Sequence, residues 1–107
     1  MKESNQEKAK RLLKPHRKQI DAIDDKILKL LGARFKIVRK VAKTKAEQGI
    51  PSFMHDRVVE VRERCAKLGL KYGIDPDFVR ILYSTIIYQS CTIEDEIKHR
   101  LWKKKSK

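Results

Sequence analysis

The chain has 107 residues, of which 40% are hydrophobic and 38% charged, so it reads as one soluble, helix-rich domain and not as a disordered segment. The formal net charge is +13, but residues 1–14 hold +3 of it and residues 98–107 hold +6, which leaves a mildly basic body of +4. That distribution predicts weak polyanion attraction by the tails at low salt and no specific nucleic-acid partner.

In chain order, residues 1–14 read as a basic N-terminal extension with no apolar segment behind its charges, so neither a secretory signal nor a membrane span is expected and the predicted location is the cytoplasm. From about Pro15 to Glu47 the apolar positions Ile20, Ile23, Ile27, Leu30, Leu31, Val38 and Val41 recur at helical spacing. Such a helix is about 45 Å long. "EQGIPSF" ends it, with Gly49 suited to a C-terminal cap and Pro51 unable to continue. A second helix fits "DRVVEVRERCAKLGLKYG", with Asp56 near its start and Gly73 as its stop. A third opens at "DPDF", where Asp75 is a natural N-cap and Pro76 a natural first position, and it runs to about Trp102. Residues 103–107 read as a basic tail, and no strand signal or internal repeat is present.

The expected fold is therefore all-α, with one long helix and two shorter ones spanning residues 15–102. In a chain this small these helices cannot wrap a closed core, so the long helix must bury its stripe elsewhere. A two-fold dimer with long helices side by side is the simplest solution.

Two cations interrupt the stripe. With Arg34 as reference and 100° per residue, Ile23, Ile27 and Val41 lie at about −20°, Ile20 and Val38 at about +40°, and Lys45 at about +20°. On helix 3 the stripe Ile87, Ser90, Glu94, Ile97 and Leu101 has Ser90 and Glu94 as its polar members. One reading is a structural ion pair of Arg34 or Lys45 with Glu94. The other follows from charge: two cations facing one carboxylate in a dry cavity fit a small, at least doubly negative guest. Arg17 lies about 25 Å along the helix from Arg34, so an antiparallel partner would bring the other subunit's Arg17 to this chain's Arg34.

The stretches "RKQIDAIDDKILKLLGARFKIVRKVAKTK", "GIPSFMHDRVVEVRERC" and "YGIDPDFVRILYSTIIYQSCTIEDEI" resemble the all-helical chorismate mutases over residues 15–98. The resemblance rests on R-x-x-I-D-x-I-D from Arg17, an arginine at Arg34, K-x-K ending at Lys45, and D-R at Arg57. It implies an intertwined homodimer of three-helix chains that converts chorismate to prephenate in phenylalanine and tyrosine biosynthesis, without metal or organic cofactor. By the resemblance, Arg34 and Lys45 grip one carboxylate and the ether oxygen, and Arg17 from the other chain clamps the second carboxylate. Arg57 is a further active-site arginine, Ser90 lines the pocket, and Glu94 hydrogen-bonds the ether oxygen.

The residue types suit that chemistry. A Claisen rearrangement breaks one C–O bond and forms one C–C bond with no nucleophile, so catalysis rests on conformer selection and on stabilising charge at the ether oxygen. Arginine forks bind carboxylates bidentately, whereas lysine is a compact charge aimed at one oxygen. The chain departs from the common pattern at Val58 and Met54, where many bacterial mutases place acidic residues. The alternatives on the same fold are isochorismate-pyruvate lyase and 4-amino-4-deoxychorismate mutase. His16, His55 and His99 lack ligand spacing, Tyr72, Tyr83, Tyr88 and Trp102 read as packing residues, and Cys65 and Cys91 as reduced core fillers.

Overall fold

The computed structural model describes residues 2–105, and all regular structure among them is helical. Three helices follow in order: α1 (Asn5–Gln48), α2 (His55–Leu70) and α3 (Pro76–Lys105). Helix α1 begins ten residues before the Pro15 start expected from the apolar stripe. The reason is a cap: Ser4 Oγ accepts the Glu7 N–H at 3.1 Å and the Ser4 carbonyl accepts the Lys8 N–H at 2.9 Å. Pro15 has no N–H to offer the carbonyl four residues back, yet the helix runs through it. Of the basic extension, residues 5–14 are thus helical.

The end of α1 is fixed by Gly49, whose φ of 67° is strained for a residue with a side chain. The Ile50 N–H then reaches back to the Lys45 carbonyl at 2.8 Å, the bond that closes a Schellman cap. Helix α3 starts as its sequence predicts, with Asp75 Oδ2 accepting the Phe78 N–H at 3.3 Å. It ends three residues beyond Trp102, with Lys103, Lys104 and Lys105 in its last turn, where cations offset the negative end of the helix dipole.

The chain divides into two compact units, one ending at Arg34 and the other beginning at Phe35. In the second, Val61, Cys65 and Ala66 of α2 pack with Val79 and Ile87 of α3, flanked by Val58, Tyr83 and Cys91. The helices meet closely at Gly69, where an added Cβ would stand 2.9 Å from Val79 Cγ2. At the rim, Arg80 of α3 binds Glu63 of α2 and Asp77 of its own first turn, each at 2.9 Å.

This core is small: no large side chain among the described residues is fully buried. In the first unit the predicted stripe of α1 stands in the open, with Ile20 56%, Ile23 55%, Ile27 50% and Leu30 71% exposed. Among the described residues no helix is long and apolar enough to cross a membrane.

Candidate active site

The second unit brings together three of the residues singled out in the sequence. The C-cap geometry leaves Lys45 in the last turn of α1, and its ammonium lies 2.8 Å from Glu94 Oε1 of α3. Glu94 is buried and Lys45 nearly so, with side chains 6% and 18% exposed. At that distance the contact is an ion pair, but Glu94 Oε1 has no well-aligned hydrogen-bond donor among the described residues. The directed bond of Lys45 Nζ goes instead to the Ser52 carbonyl at 3.0 Å. Of the two readings of the stripe, the Lys45–Glu94 pair is present, which is compatible with either.

Ser90 lies one helical turn before Glu94 on the same face of α3 and is equally buried. Its hydroxyl donates to the Ile86 carbonyl at 3.0 Å. Cys91 Sγ approaches the Ser52 carbonyl at 3.8 Å. Burial, and then the nearby Glu94 carboxylate, push the Cys91 thiol above its ordinary value, so the thiol form is favoured.

Arg57, in the first turn of α2, is exposed and ion-paired with Glu60. Arg17 and Arg34 belong to the first unit, where Arg17 is exposed and Arg34 half-buried. Val58 is half-buried and packs against the core, which accounts for an apolar residue there. His55 tilts against Phe53 at 6.4 Å between ring centroids, and His99 stacks on Trp102 at 6.3 Å. Among the described residues no His, Cys, Asp and Glu group has the arrangement of a metal site.

Two contributors escaped the sequence reading. Ser52 anchors Lys45 through its carbonyl, and its own hydroxyl is buried without a hydrogen-bond partner among the described residues. Lys98 donates to the Ile50 carbonyl and so holds the same loop from α3. Lys98 is one turn beyond Glu94, a spacing that could have marked it.

Comparison with known proteins decides the family. The description "chorismate mutase type II" matches residues 16–95. The chain belongs to the type II chorismate mutase family. It is 34% identical over 80 residues to the 4-amino-4-deoxychorismate mutase of Streptomyces pristinaespiralis, covering 75% of this chain and 62% of that protein. To the 4-amino-4-deoxychorismate mutase of Streptomyces venezuelae it is 31% identical, covering 78% of this chain and 82% of the relative. To the chorismate mutase of Methanocaldococcus jannaschii it is 30% identical, with 75% and 81% covered. In this member of the type II chorismate mutase family, Lys45, Ser90 and Glu94 lie in one packed unit.

Proposed function

We propose that the chain is a homodimeric, cytoplasmic chorismate mutase that rearranges chorismate to prephenate. The observation that supports this most directly is the buried Lys45–Glu94 pair beside Ser90 in a chain of this family. The open stripe of Ile20, Ile23, Ile27 and Leu30 supports the dimer, because burying each such side chain is worth about 1.5–3 kcal/mol.

In this reading Arg34 and the partner's copy of Arg17 clamp the two substrate carboxylates and hold the reacting ends in a chair-like conformer. Arg57 leaves its exposed pairing with Glu60, a contact of the kind that costs little to break, and adds a further cation. Lys45 turns its ammonium toward the ether oxygen, where negative charge grows as the C–O bond lengthens. Glu94 assists only while protonated, since an ionised carboxylate has no hydrogen to donate. Ser90 lines the wall. No step requires a nucleophile or a proton transfer to carbon.

A second reading, 4-amino-4-deoxychorismate as substrate, is favoured by the similarity to two 4-amino-4-deoxychorismate mutases and by the apolar Val58. The test is incubation of the purified dimer with chorismate, 4-amino-4-deoxychorismate and isochorismate, with products identified by chromatography. Prephenate from chorismate supports the main reading. Rearrangement of the amino substrate alone transfers the function to the second, and pyruvate released only from isochorismate makes the protein a lyase.

A further inference from the structure

The last turns of α1 and of α3 form a groove with a volume of about 590 Å³. One face of each helix walls it. From α1 come Lys36, Arg39, Lys40 and Lys43, and from α3 come Ile97, Arg100, Leu101 and Lys104. Both sets run i, i+3, i+4, i+7, the spacing of side chains that share a helix face. Each face spans two turns, about 10 Å along its helix.

The groove lining holds six cations and no acidic residue. The six cations are exposed, whereas Ile97 and Leu101 are half-buried. Among the described residues none of the six is ion-paired. Lys36 and Lys40, Arg39 and Lys43, and Arg100 and Lys104 are like charges four residues apart, an arrangement that costs each helix stability. The catalytic pair does not account for them. Lys45 turns to Glu94, and the four α1 cations lie about 120–180° around the helix from Lys45.

We propose that this groove binds an acidic amphipathic helix of a partner protein. A helix laid along the two faces brings its carboxylates to the six cations and its apolar stripe onto Ile97 and Leu101. A nucleic-acid strand answers the cations alone: no aromatic side chain lines the groove to stack a base, and the aliphatic floor stays uncovered. A membrane surface takes up protruding apolar side chains, and here they are half-buried in a concave site. A second copy of the chain would bring a net charge of +13 to a cationic face. The proposal stands apart from the choice of substrate, because none of these residues has a part in the rearrangement.

The probe is a fluorescein-labelled peptide of about 16 residues built from Leu-Glu-Glu-Leu repeats, which places leucines at i, i+3, i+4 and i+7 of an acidic helix. Its fluorescence anisotropy, followed while the intact protein is added at about 0.15 M salt, should rise and saturate. An Ala-Glu-Glu-Ala peptide keeps the charge and loses the apolar stripe, and a Leu-Gln-Gln-Leu peptide does the reverse. Each should bind at least about tenfold more weakly. Lys40→Glu/Lys43→Glu and Arg100→Glu/Lys104→Glu should each weaken the Leu-Glu-Glu-Leu peptide by about tenfold or more. Lys8→Glu/Lys10→Glu, the same change of net charge in the N-terminal extension, should change it less than about twofold. Equal binding of the alanine peptide, or an equal loss in the Lys8→Glu/Lys10→Glu protein, reduces the effect to net charge and overturns the proposal. So does tighter binding of a thymidine oligonucleotide, or of phosphatidylserine vesicles in sedimentation, when either is lost in the two groove variants. The peptide comparisons use the wild type alone and decide the proposal even where a variant fails to fold.

Discussion

Lys45 Nζ stands 2.8 Å from Glu94 Oε1 but spends its directed hydrogen bond on the Ser52 carbonyl, so among the described residues Oε1 is held by charge and not by an aligned donor. Such a pair contributes to stability chiefly through what is lost when half of it goes. Lys45→Ala should destabilise the protein by about 3 kcal/mol, because a buried carboxylate is left uncompensated. Lys45→Met/Glu94→Leu should recover most of that loss while activity stays absent. Denaturant midpoints and turnover measured on the same three proteins check this. Recovery of stability with activity retained would leave the pair a structural element only.

Gly69 tests the α2–α3 contact. A methyl group there would sit 2.9 Å from Val79 Cγ2, and a β-branched valine has few rotamers with which to yield. Gly69→Ala should therefore destabilise by about 1–3 kcal/mol despite the gain in helix propensity. Urea unfolding measures it, and Gly69→Ala/Val79→Ala should restore part of the loss by making room.

The cross-subunit clamp is tested by complementation. Arg17→Ala and Arg34→Ala should each lose at least about a hundredfold in kcat/KM while remaining folded dimers. A heterodimer of the two, formed by joint unfolding and refolding, has one pocket with both arginines intact and should regain activity. A verified heterodimer that stays inactive removes Arg17 from the partner's pocket.

The helical spacing of Ile20, Ile23 and Ile27, the Asp75 cap and the Gly49 stop were legible because each is a local signal in which a few side chains determine the backbone. The helical start at Asn5 was equally local, written as Ser4 and Glu7 three apart, but it lay before the apolar stripe that drew the reading. The Lys45–Glu94 pair was legible as one of two pairings, since periodicity put Lys45, Arg34 and Glu94 on apolar stripes without saying which cation reaches the carboxylate. Ser52 was not legible at all. Its contribution is a backbone carbonyl, which every residue possesses, and only the path of the loop brings it to Lys45.

Cys91 should be a poor nucleophile. Burial first, and Glu94 next, raise its pKa, so at neutral pH it holds less thiolate than an ordinary cysteine. Alkylation by iodoacetamide should be slower than in the unfolded chain at neutral pH and should keep rising with pH beyond the point where a free thiol levels off. Mass spectrometry of the modified peptide distinguishes it from Cys65, which is buried. Fast labelling of Cys91 at neutral pH would mean that the thiol is more open than its contact with Ser52 implies.

Glu94 gives the sharpest test of mechanism, because its two protonation states do opposite things. The ether oxygen gains negative charge in the transition state and needs a donor, and an ionised Glu94 would repel it. If Glu94 is the donor, kcat should fall as pH rises, because only the protonated acid can donate. Glu94→Gln keeps the shape and supplies an N–H at every pH, so it should retain activity and flatten the fall. Glu94→Ala should be slower by about a hundredfold or more throughout. Comparing kcat against pH for the three proteins decides the matter. Identical profiles for wild type and Glu94→Gln would remove Glu94 from the ether oxygen and leave Lys45 as the group that stabilises the departing charge.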